Sequence, residues 1–433
     1  MKRFIQIIIF TAAVSLTPAH AVDVPRDTSF TILSTARKVQ KRHPEAIVAH
    51  PVLPQGVRQS HDIVYTTLPD TPFGKRELHA DIYRPDDDRT YPAVIMVHGG
   101  GWNSGDKSLQ AHMAMQIAAR GYVAVPVEYR LIPEALYPAG LHDIKTAIRW
   151  LRANADSLGV DASKIAVSGC SAGAHLATLA GVTNGSETHE GKGSHSTTSS
   201  DVQAVINIDG IATFMSESNI ADARRRYEAN GELPVNAKWL GGLYEDSPEN
   251  WEEASAVRWV THRSAPVCFI NSSLPRYSDG RDELIDLYKS NGIYAEHHNT
   301  LAPIHPFWFF HPWVDSTVDY ATEFLDRMFK TGTDVSPKRF VLTDYGVIPD
   351  STLVQTDKIQ AVIDMTEAQG GGEISVPKGT FLTGALFFKP GTSLQLAHGA
   401  VLKGSDNISD YPLIPSRMEG RSIYYHAALI NAY

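Results

Sequence analysis

The stretch that decides the fold is Gly-Cys-Ser-Ala-Gly at residues 169–173. A short apolar run at 164–168 comes directly before it and predicts a buried strand, and residues 174–180 follow with the composition of a helix. A serine between small residues at a strand-to-helix turn has an exposed hydroxyl, and the N-terminus of the helix favours an anion there. The sequence therefore predicts that Ser171 is a nucleophile.

A second glycine-rich stretch, His-Gly-Gly-Gly at residues 98–101, follows the apolar run 93–97, which is typical of a buried strand. Glycines let the backbone approach a carbonyl group closely, so that N–H groups can stabilise the oxyanion of acyl transfer. The N–H groups of Gly100, Gly101 and Ala172 are therefore predicted to form an oxyanion hole.

A serine nucleophile needs a histidine base, which in this order of motifs follows the last strand of the sheet. His305 lies in Pro-Ile-His-Pro, shortly after a strand predicted to end near His298. His311 is its rival and is interpreted as a packing or capping residue at the start of the final helix. Position along the chain favours His305.

The sequence does not single out one candidate for the acid that orients the histidine. Its usual place, after the penultimate strand, holds Asn-Ser-Ser-Leu-Pro-Arg at residues 271–276 and no carboxylate. Asp209, at the tip of the strand after the nucleophile helix, and Asp282 are equal candidates, and Asp279 ranks below them. The structural alternatives are an Asp-Gly turn for Asp209 and the first turn of a helix for Asp282.

Apolar strands alternate with helices up to about residue 330, which indicates a mostly parallel sheet with helices on both faces. Residues 211–262 interrupt this alternation and are predicted to be a cap over the site. Within them, Arg224–Arg226 is interpreted as a solvated helix face, although an anionic polymer would also suit it.

The N-terminus predicts export from the cell. Two basic residues precede an apolar stretch, and Ala19-His20-Ala21 follows as a cleavage site of the small-x-small type, so residues 1–21 are predicted to be a signal peptide. Residues 22–58 are predicted to be a linker, and the expected location is secreted or periplasmic. No later stretch is long and apolar enough for membrane insertion.

Composition narrows the function further. The formal net charge of -9 argues against a nucleic-acid partner, which requires a basic face. The two cysteines, Cys170 and Cys268, lie on or beside predicted core strands and are expected to be buried thiols without a disulfide. The chain therefore does not depend on a disulfide framework.

The composition changes at residues 331–338, which are rich in Thr, Gly, Asp, Ser and Pro and are predicted to be a domain boundary. Beyond them, a helix at 357–369 leads to short strands separated by glycine or proline. This spacing is typical of a β-solenoid. Because no capping pattern closes it, the second domain, residues 339–433, is predicted to be truncated.

Three stretches carry a resemblance to a known family: His-Gly-Gly-Gly-Trp at 98–102, Glu-Tyr-Arg-Leu at 128–131 and Gly-Cys-Ser-Ala-Gly at 169–173. They resemble the secreted α/β-hydrolase carbohydrate esterases, which are related to hormone-sensitive-lipase-type and to acetyl-xylan or feruloyl esterases. The resemblance implies an α/β-hydrolase esterase domain over residues 59–332. The chain departs from the family in lacking an acid after the penultimate strand, and in a glutamate at the start of the second stretch where many relatives have aspartate.

Residues 339–433 resemble the start of the family 28 glycoside hydrolases, the polygalacturonases. The similar stretches are Leu-Thr-Asp-Tyr-Gly at 342–346, Gly-Gly-Gly-Glu-Ile-Ser-Val-Pro-Lys-Gly at 370–379 and Leu-Ile-Asn-Ala at 429–432. In that family the catalytic aspartates lie further along a right-handed parallel β-helix, so the resemblance implies a partial, inactive β-helix here. A pectinase-like module beside an esterase suggests pectin as the substrate.

The expected reaction is removal of acetyl groups from a polysaccharide through an acyl-enzyme on Ser171, with no metal or organic cofactor. Trp102 and Trp308 are predicted to stack on sugar rings, with packing at the edge of the cleft as the equal alternative. The rival functions are an esterase for acetylated or feruloylated xylan, a general carboxylesterase and a non-catalytic carbohydrate-binding protein. The sequence does not indicate an oligomeric state.

Overall fold

The computed structural model describes residues 24, 26–330, 339–369, 371–389, 391–397, 399–418 and 421–432. The predicted signal peptide, residues 1–21, and the predicted boundary, residues 331–338, lie outside these ranges. The chain divides into two compact units, residues 1–330 and residues 331–433, here called the N-terminal and the C-terminal unit.

An eight-stranded sheet forms the centre of the N-terminal unit. With strands numbered in chain order, its members are β2 (Val57–Thr71), β3 (Gly74–Pro85), β4 (Tyr91–Val97), β5 (Val123–Val127), β6 (Val160–Cys170), β7 (Ala204–Ile208), β8 (Val267–Asn271) and β9 (Ala295–Asn299). Their order is β2-β3-β5-β4-β6-β7-β8-β9, and every pair from β5 to β9 is parallel. The expected mostly parallel sheet is therefore confirmed.

Helices connect the strands and cover the sheet. They are α1 (Ile32–Val39), α2 (Ala111–Ala119), α3 (Ala139–Ala153), α4 (Ala155–Leu158), α5 (Ala172–Val182), α6 (Glu217–Asn230), α7 (Val235–Leu240), α8 (Pro248–Glu253), α9 (Arg281–Ser290) and α10 (Trp313–Phe329). Alternate residues of β4 enter different cores: Ile95 packs with residues of α3 and α5, and Val94 with residues of α2 and α10. The sheet is thus buried on both faces, as the continuous apolar strands predict.

The segment predicted as a linker, residues 22–58, is part of the N-terminal unit where the structure describes it. Its two-residue strand β1 (Ile47–Val48) pairs with β10 (Phe310–His311). Ala36, Ala46 and Ala49 are buried in the core shared with α2 and α10. The linker interpretation is wrong because these small apolar residues pack against the body of the fold.

The cap segment, residues 211–262, has two different sides. Phe214, Trp239 and Trp251 are buried in the main core. Helix α6, in contrast, buries only Ala223 and begins with a cap in which the Ser216 hydroxyl accepts from the N–H of Asn219. The cap is therefore fixed through its aromatic side, while α6 exposes most of its surface to solvent.

The C-terminal unit contains α11 (Thr356–Ala368) and short strands. The strands are β11 (Arg339–Val341), β12 (Gly372–Val376), β13 (Gly379–Thr383), β14 (Leu386–Phe388), β15 (Thr392–Leu396), β16 (Ala400–Gly404), β17 (Leu413–Met418), β18 (Arg421–His426) and β19 (Ile430–Ala432). Parallel pairs join β11 to β12, β12 to β15, β13 to β16 and β14 to β19, whereas β17 and β18 are antiparallel. Separate sheets of two or three strands do not establish a β-helix, which stays a prediction.

Two expectations about the whole chain can be compared with the described residues. Cys170 and Cys268 are buried free thiols, as expected. Among the helices that the structure describes, none combines the length and the apolar character needed to cross a bilayer.

Candidate active site

Ser171 occupies the turn between β6 and α5, and its backbone lies in a region that L-residues rarely adopt (φ 53°, ψ -120°). The turn is crowded: a Cβ at Gly169 would lie 2.2 Å from the carbonyl oxygen of Gly173, and one at Gly173 would lie 2.2 Å from that of Val97. The backbone N–H of Ser171 donates to the Ile208 carbonyl at 2.8 Å. The glycines are thus required for the bend that presents the serine.

His305 lies beside the nucleophile on the loop after β9. Its Nε2 is 3.0 Å from Ser171 Oγ, and its Nδ1 is 2.8 Å from Asp209 Oδ2. The structure therefore brings together the serine, the preferred histidine and one of the two equally ranked aspartates. The rival His311 pairs instead with Asp315 on α10, at 2.7 Å.

Asp209 is held rigidly at the end of β7. Its side chain is fully buried, and its oxygens accept from the Ser272 N–H at 2.9 Å and from the Ser272 hydroxyl at 2.8 Å. Its own N–H donates to the Ile270 carbonyl at 3.0 Å. The loop after β8, which lacks the expected acid, thus supplies the donors that orient an acid from the neighbouring strand.

The other two aspartates have different partners. Asp282 lies in the first turn of α9 with its side chain 81% exposed, and it pairs with Arg281 at 2.7 Å. Asp279 accepts from the Ser216 hydroxyl and from Asn219 Nδ2, both at 2.7 Å. The prediction of Asp282 as a catalytic acid is therefore wrong, because this carboxylate is solvated and serves the helix terminus.

Aromatic rings enclose the imidazole of His305. Tyr277 stacks on it with ring centroids 3.5 Å apart, and Trp308 meets it edge-on at 5.0 Å. Burial lowers the pKa of His305 below its usual range, against the opposing hydrogen bond from the ring to Asp209. The lowered pKa favours the neutral imidazole, the state that a general base requires. Sequence reasoning missed Tyr277, since no motif surrounds it.

The glycine loop lies directly against the nucleophile turn. A Cβ at Gly99 would be 3.1 Å from Ser171 Cβ, and one at Gly100 would be 1.9 Å from the Ser104 carbonyl oxygen. Gly101 and Ala172 line the same pocket as the serine, and both glycines 100 and 101 have positive φ. Gly101 and Ala172 thus lie beside the reacting serine and Gly100 shapes the turn, while the use of their N–H groups as an oxyanion hole stays a prediction.

A pocket of about 570 Å³ opens over Ser171 and His305. Trp102 contributes to its wall but is only 7% exposed, and Trp239 of the cap stacks on it at 4.8 Å. Trp308 is 2% exposed and is not among the lining residues. The prediction that Trp308 stacks on a sugar ring is therefore wrong, because this ring packs beneath the histidine. Trp102 lines the pocket while Trp239 stacks on it, and its contact with a sugar stays a prediction.

The mouth of the pocket carries charged groups from two elements. Asp222, Arg225 and Arg226 come from α6, and Arg276 comes from the loop after β8. The arginine run is exposed, as its interpretation as a solvated face predicts, and two of its three members also line the pocket. Helix periodicity alone did not show which side of α6 faces the site.

One cluster among the described residues has the composition of a metal site: ligand atoms of Cys268, Glu296 and His298 lie within 4.8 Å of one another. Glu296, however, accepts from Arg327 Nη2 at 2.5 Å and from His298 Nε2 at 3.0 Å. Burial opposes ionisation, but the hydrogen bond from His298, a second from Tyr294 and the charge of Arg327 hold the pKa of Glu296 at about 2. A guanidinium already neutralises this carboxylate, so the cluster does not fit a metal ion.

Comparisons with known proteins agree with this geometry. Residues 80–291 match the family model BD-FAE. The chain is 34% identical over 196 residues to Esterase LipC of Mycobacterium tuberculosis, which is 45% of this chain and 47% of that protein. The chain spans about half the length of the first curated relatives that it matches.

A shorter match is of a different kind. Over 82 residues, 19% of this chain and 13% of the other, the chain is 45% identical to an exo-poly-alpha-D-galacturonosidase of Dickeya chrysanthemi.

Among solved structures, esterase Est2 of Thermogutta terrifontis bound to butyrate is similar in fold. The TM-score is 0.51 at 23% identity, and the match covers 65% of this chain and 97% of that one. Together, these similarities show that the N-terminal unit has the α/β-hydrolase fold and that its sequence is related to esterases.

Proposed function

We propose that the chain is a serine carbohydrate esterase that removes acetyl groups from a plant cell-wall polysaccharide, namely pectin, outside the cytoplasm. The observation that carries the proposal is the hydrogen-bonded series Ser171–His305–Asp209 at the base of a pocket large enough for a sugar ester.

Acylation follows from the positions of these groups. Because the Nδ1–H of His305 donates to Asp209, its Nε2 is free to accept the proton of the Ser171 hydroxyl. The serine oxygen then attacks the acetyl carbonyl, and the N–H groups of Gly101 and Ala172 stabilise the developing oxyanion. His305 returns the proton to the sugar oxygen, which leaves as an alcohol, and an acetyl-serine remains.

Deacylation repeats these steps with water. His305 takes a proton from the water, the resulting hydroxide attacks the acetyl-serine, and the proton passes to Ser171 as acetate departs. Asp209 accepts the hydrogen bond of the His305 Nδ1–H and stabilises the imidazolium in both halves of the cycle. His305 thus transfers the proton in both half-reactions. Burial of its ring lowers its pKa and favours the neutral imidazole between these steps.

The choice of pectin rests on the C-terminal unit. Residues 339–433 resemble the start of the polygalacturonases, and a galacturonosidase is among the relatives of the chain. Acetyl esters on galacturonate hinder a polygalacturonase, so an esterase joined to such a module has a coherent role. The support is an association of two sequence types in one chain, since fold alone does not define a substrate.

The test is acetate release from acetylated pectin and acetylated xylan, measured side by side. We expect faster release from pectin, and the Ser171→Ala variant should lose about 10⁶-fold in kcat. Faster release from xylan would keep the mechanism and contradict the pectin assignment. Release that persists in the Ser171→Ala variant would contradict the mechanism itself.

A further inference from the structure

Three arginines line the active-site pocket of an acidic chain. Arg225 and Arg226 reach it from α6 of the cap, and Arg276 reaches it from the loop after β8. The formal net charge of the whole chain is -9. The pocket therefore carries positive side chains from two separate elements, although the net negative charge of the chain as a whole would repel an anion.

The carboxylates of the pocket mouth only partly neutralise these arginines. Asp222 is shared between Arg225 and Arg226, so two positive charges face one negative charge on α6. Among the residues that the structure describes, no carboxylate forms an ion pair with Arg276, whose guanidinium lies 4.8 Å from the ring centroid of Tyr277. Asp279, the other acid of the mouth, accepts hydrogen bonds from the neutral side chains of Ser216 and Asn219, so the mouth holds two carboxylates against three guanidinium groups. The mouth thus retains a positive charge.

This charge lies close to the reacting groups. Tyr277, which Arg276 covers, stacks directly on His305 at 3.5 Å between ring centroids. Burial raises the pKa of Tyr277, and the positive charges of Arg276 and Arg226 both oppose that rise. Arg276 is thus one ring away from the catalytic base, and Arg226 lines the same pocket.

We propose that Arg226 and Arg276, supported by Arg225, form a carboxylate-binding subsite that selects esters whose alcohol part is a uronic acid. The guanidinium fork matches the two oxygens of a carboxylate, so that two parallel N–H···O bonds can form. The inference rests on the proposed ester hydrolysis at Ser171. It assigns the preference for an acidic sugar to side chains of the N-terminal unit, independently of the C-terminal unit.

The experiment compares two inhibitors of p-nitrophenyl acetate hydrolysis by the full chain: trigalacturonate and its fully methyl-esterified, neutral form. We expect trigalacturonate to have an inhibition constant about tenfold lower, a ratio that should fall to about one in the Arg226→Gln/Arg276→Gln double variant. The ratio is taken within each variant, so a general change in rate cancels. Raising the ionic strength should also reduce it.

Arg224→Gln is the matched control. Arg224 is adjacent in sequence, pairs with Glu245 and does not line the pocket. The control should keep both the rate and the tenfold ratio. Equal inhibition by the two trimers in the wild type, a ratio that survives in the double variant, or equal loss in the Arg224→Gln variant would each overturn the subsite.

A carboxylate on the acyl part of the ester is the other source of the same chemistry. In that case the wild type would hydrolyse p-nitrophenyl hemisuccinate faster than p-nitrophenyl acetate, the double variant would lose this preference, and the two trimers would inhibit equally. That result would overturn the assignment to the alcohol part. The Ser171→Ala variant separates the two proposals. Serine-dependent hydrolysis without carboxylate preference rejects only the subsite, whereas hydrolysis that does not depend on the serine rejects the proposed function.

Discussion

The strand ends and the cap segment contribute to one pocket, but they hold their side chains differently. At the strand ends, Asp209 is buried and receives hydrogen bonds from the backbone and the hydroxyl of Ser272. On the cap, Arg225 and Arg226 are exposed and share a single carboxylate on their own helix.

The difference separates two demands on an enzyme site. Proton transfer requires the acid, base and nucleophile to stay within a few tenths of an ångström, which buried backbone donors enforce. Recognition of a charged group tolerates movement, because Coulomb attraction falls slowly with distance. Substitutions at the strand ends should therefore have far larger effects than substitutions on the exposed side of the cap.

The largest contrast is between two aspartates. Asp209→Asn should lower kcat by about 10⁴-fold, because an amide cannot hold the His305 tautomer or stabilise the imidazolium. Asp282→Asn, at a solvated helix terminus, should change kcat less than about twofold. Steady-state kinetics on p-nitrophenyl acetate compares both with the wild type.

A similar loss in both variants would contradict the assignment of the acid to the end of β7. Near wild-type activity of the Asp209→Asn variant would contradict it as well. Circular dichroism spectra should match in all three proteins, since the amide keeps the size and most hydrogen bonds of the buried carboxylate.

The next prediction concerns the two sides of the cap. Trp239→Ala should reduce the free energy of unfolding by about 3–5 kcal/mol, because it removes a fully buried ring that stacks on Trp102. Tyr227→Ala on the exposed side of α6 is the matched aromatic truncation and should cost less than about 0.5 kcal/mol. Urea denaturation followed by intrinsic fluorescence measures both.

Equal destabilisation by the two truncations would show that the cap is anchored along its whole surface. A negligible effect of Trp239→Ala would show that the aromatic side does not hold it. Either result would remove the distinction between a fixed inner side and a free outer side.

Much of the N-terminal unit was predictable because its signals are local. The serine turn, the glycine loop and the continuous apolar strands each follow from steric and burial requirements within a few residues. His305 was also predictable, since its position after the last strand follows from the order of the motifs. These features depend little on how distant segments pack.

The remaining features depend on long-range packing. Asp209 and Asp282 were equal candidates because the choice depends on Ser272, which approaches Asp209 only when β7 and β8 pair. For Trp102 and Trp308, sugar stacking and packing were equal alternatives because nothing in the sequence shows which ring is already covered. The packing of residues within 22–58 against the body of the fold was not predicted, because alanines give only a weak apolar signal in the sequence.

The smallest expected effect concerns the pH dependence of the reaction and depends on Tyr277. The ring of Tyr277 lies between Arg276 at the pocket mouth and His305 of the catalytic series. Burial is the main reason that the pKa of His305 is lowered, and Tyr277 covers one face of the imidazole. The base works when deprotonated, so the acid limb of kcat/KM for a neutral ester should have its midpoint below the ordinary histidine value of about 6.5.

Tyr277→Ala admits water to that face, which stabilises the charged imidazolium and raises the pKa of His305. The acid limb should therefore move to higher pH, by less than about one unit. Tyr277→Phe keeps the stacked ring and should leave the limb in place. A shift of the same size in both variants would assign the effect to the hydroxyl, and a shift to lower pH in the alanine variant would show that Asp209 rather than burial governs the base. A shift confined to the alanine variant would show that Tyr277, a ring that transfers no proton, sets the pH range in which the strand-end residues work.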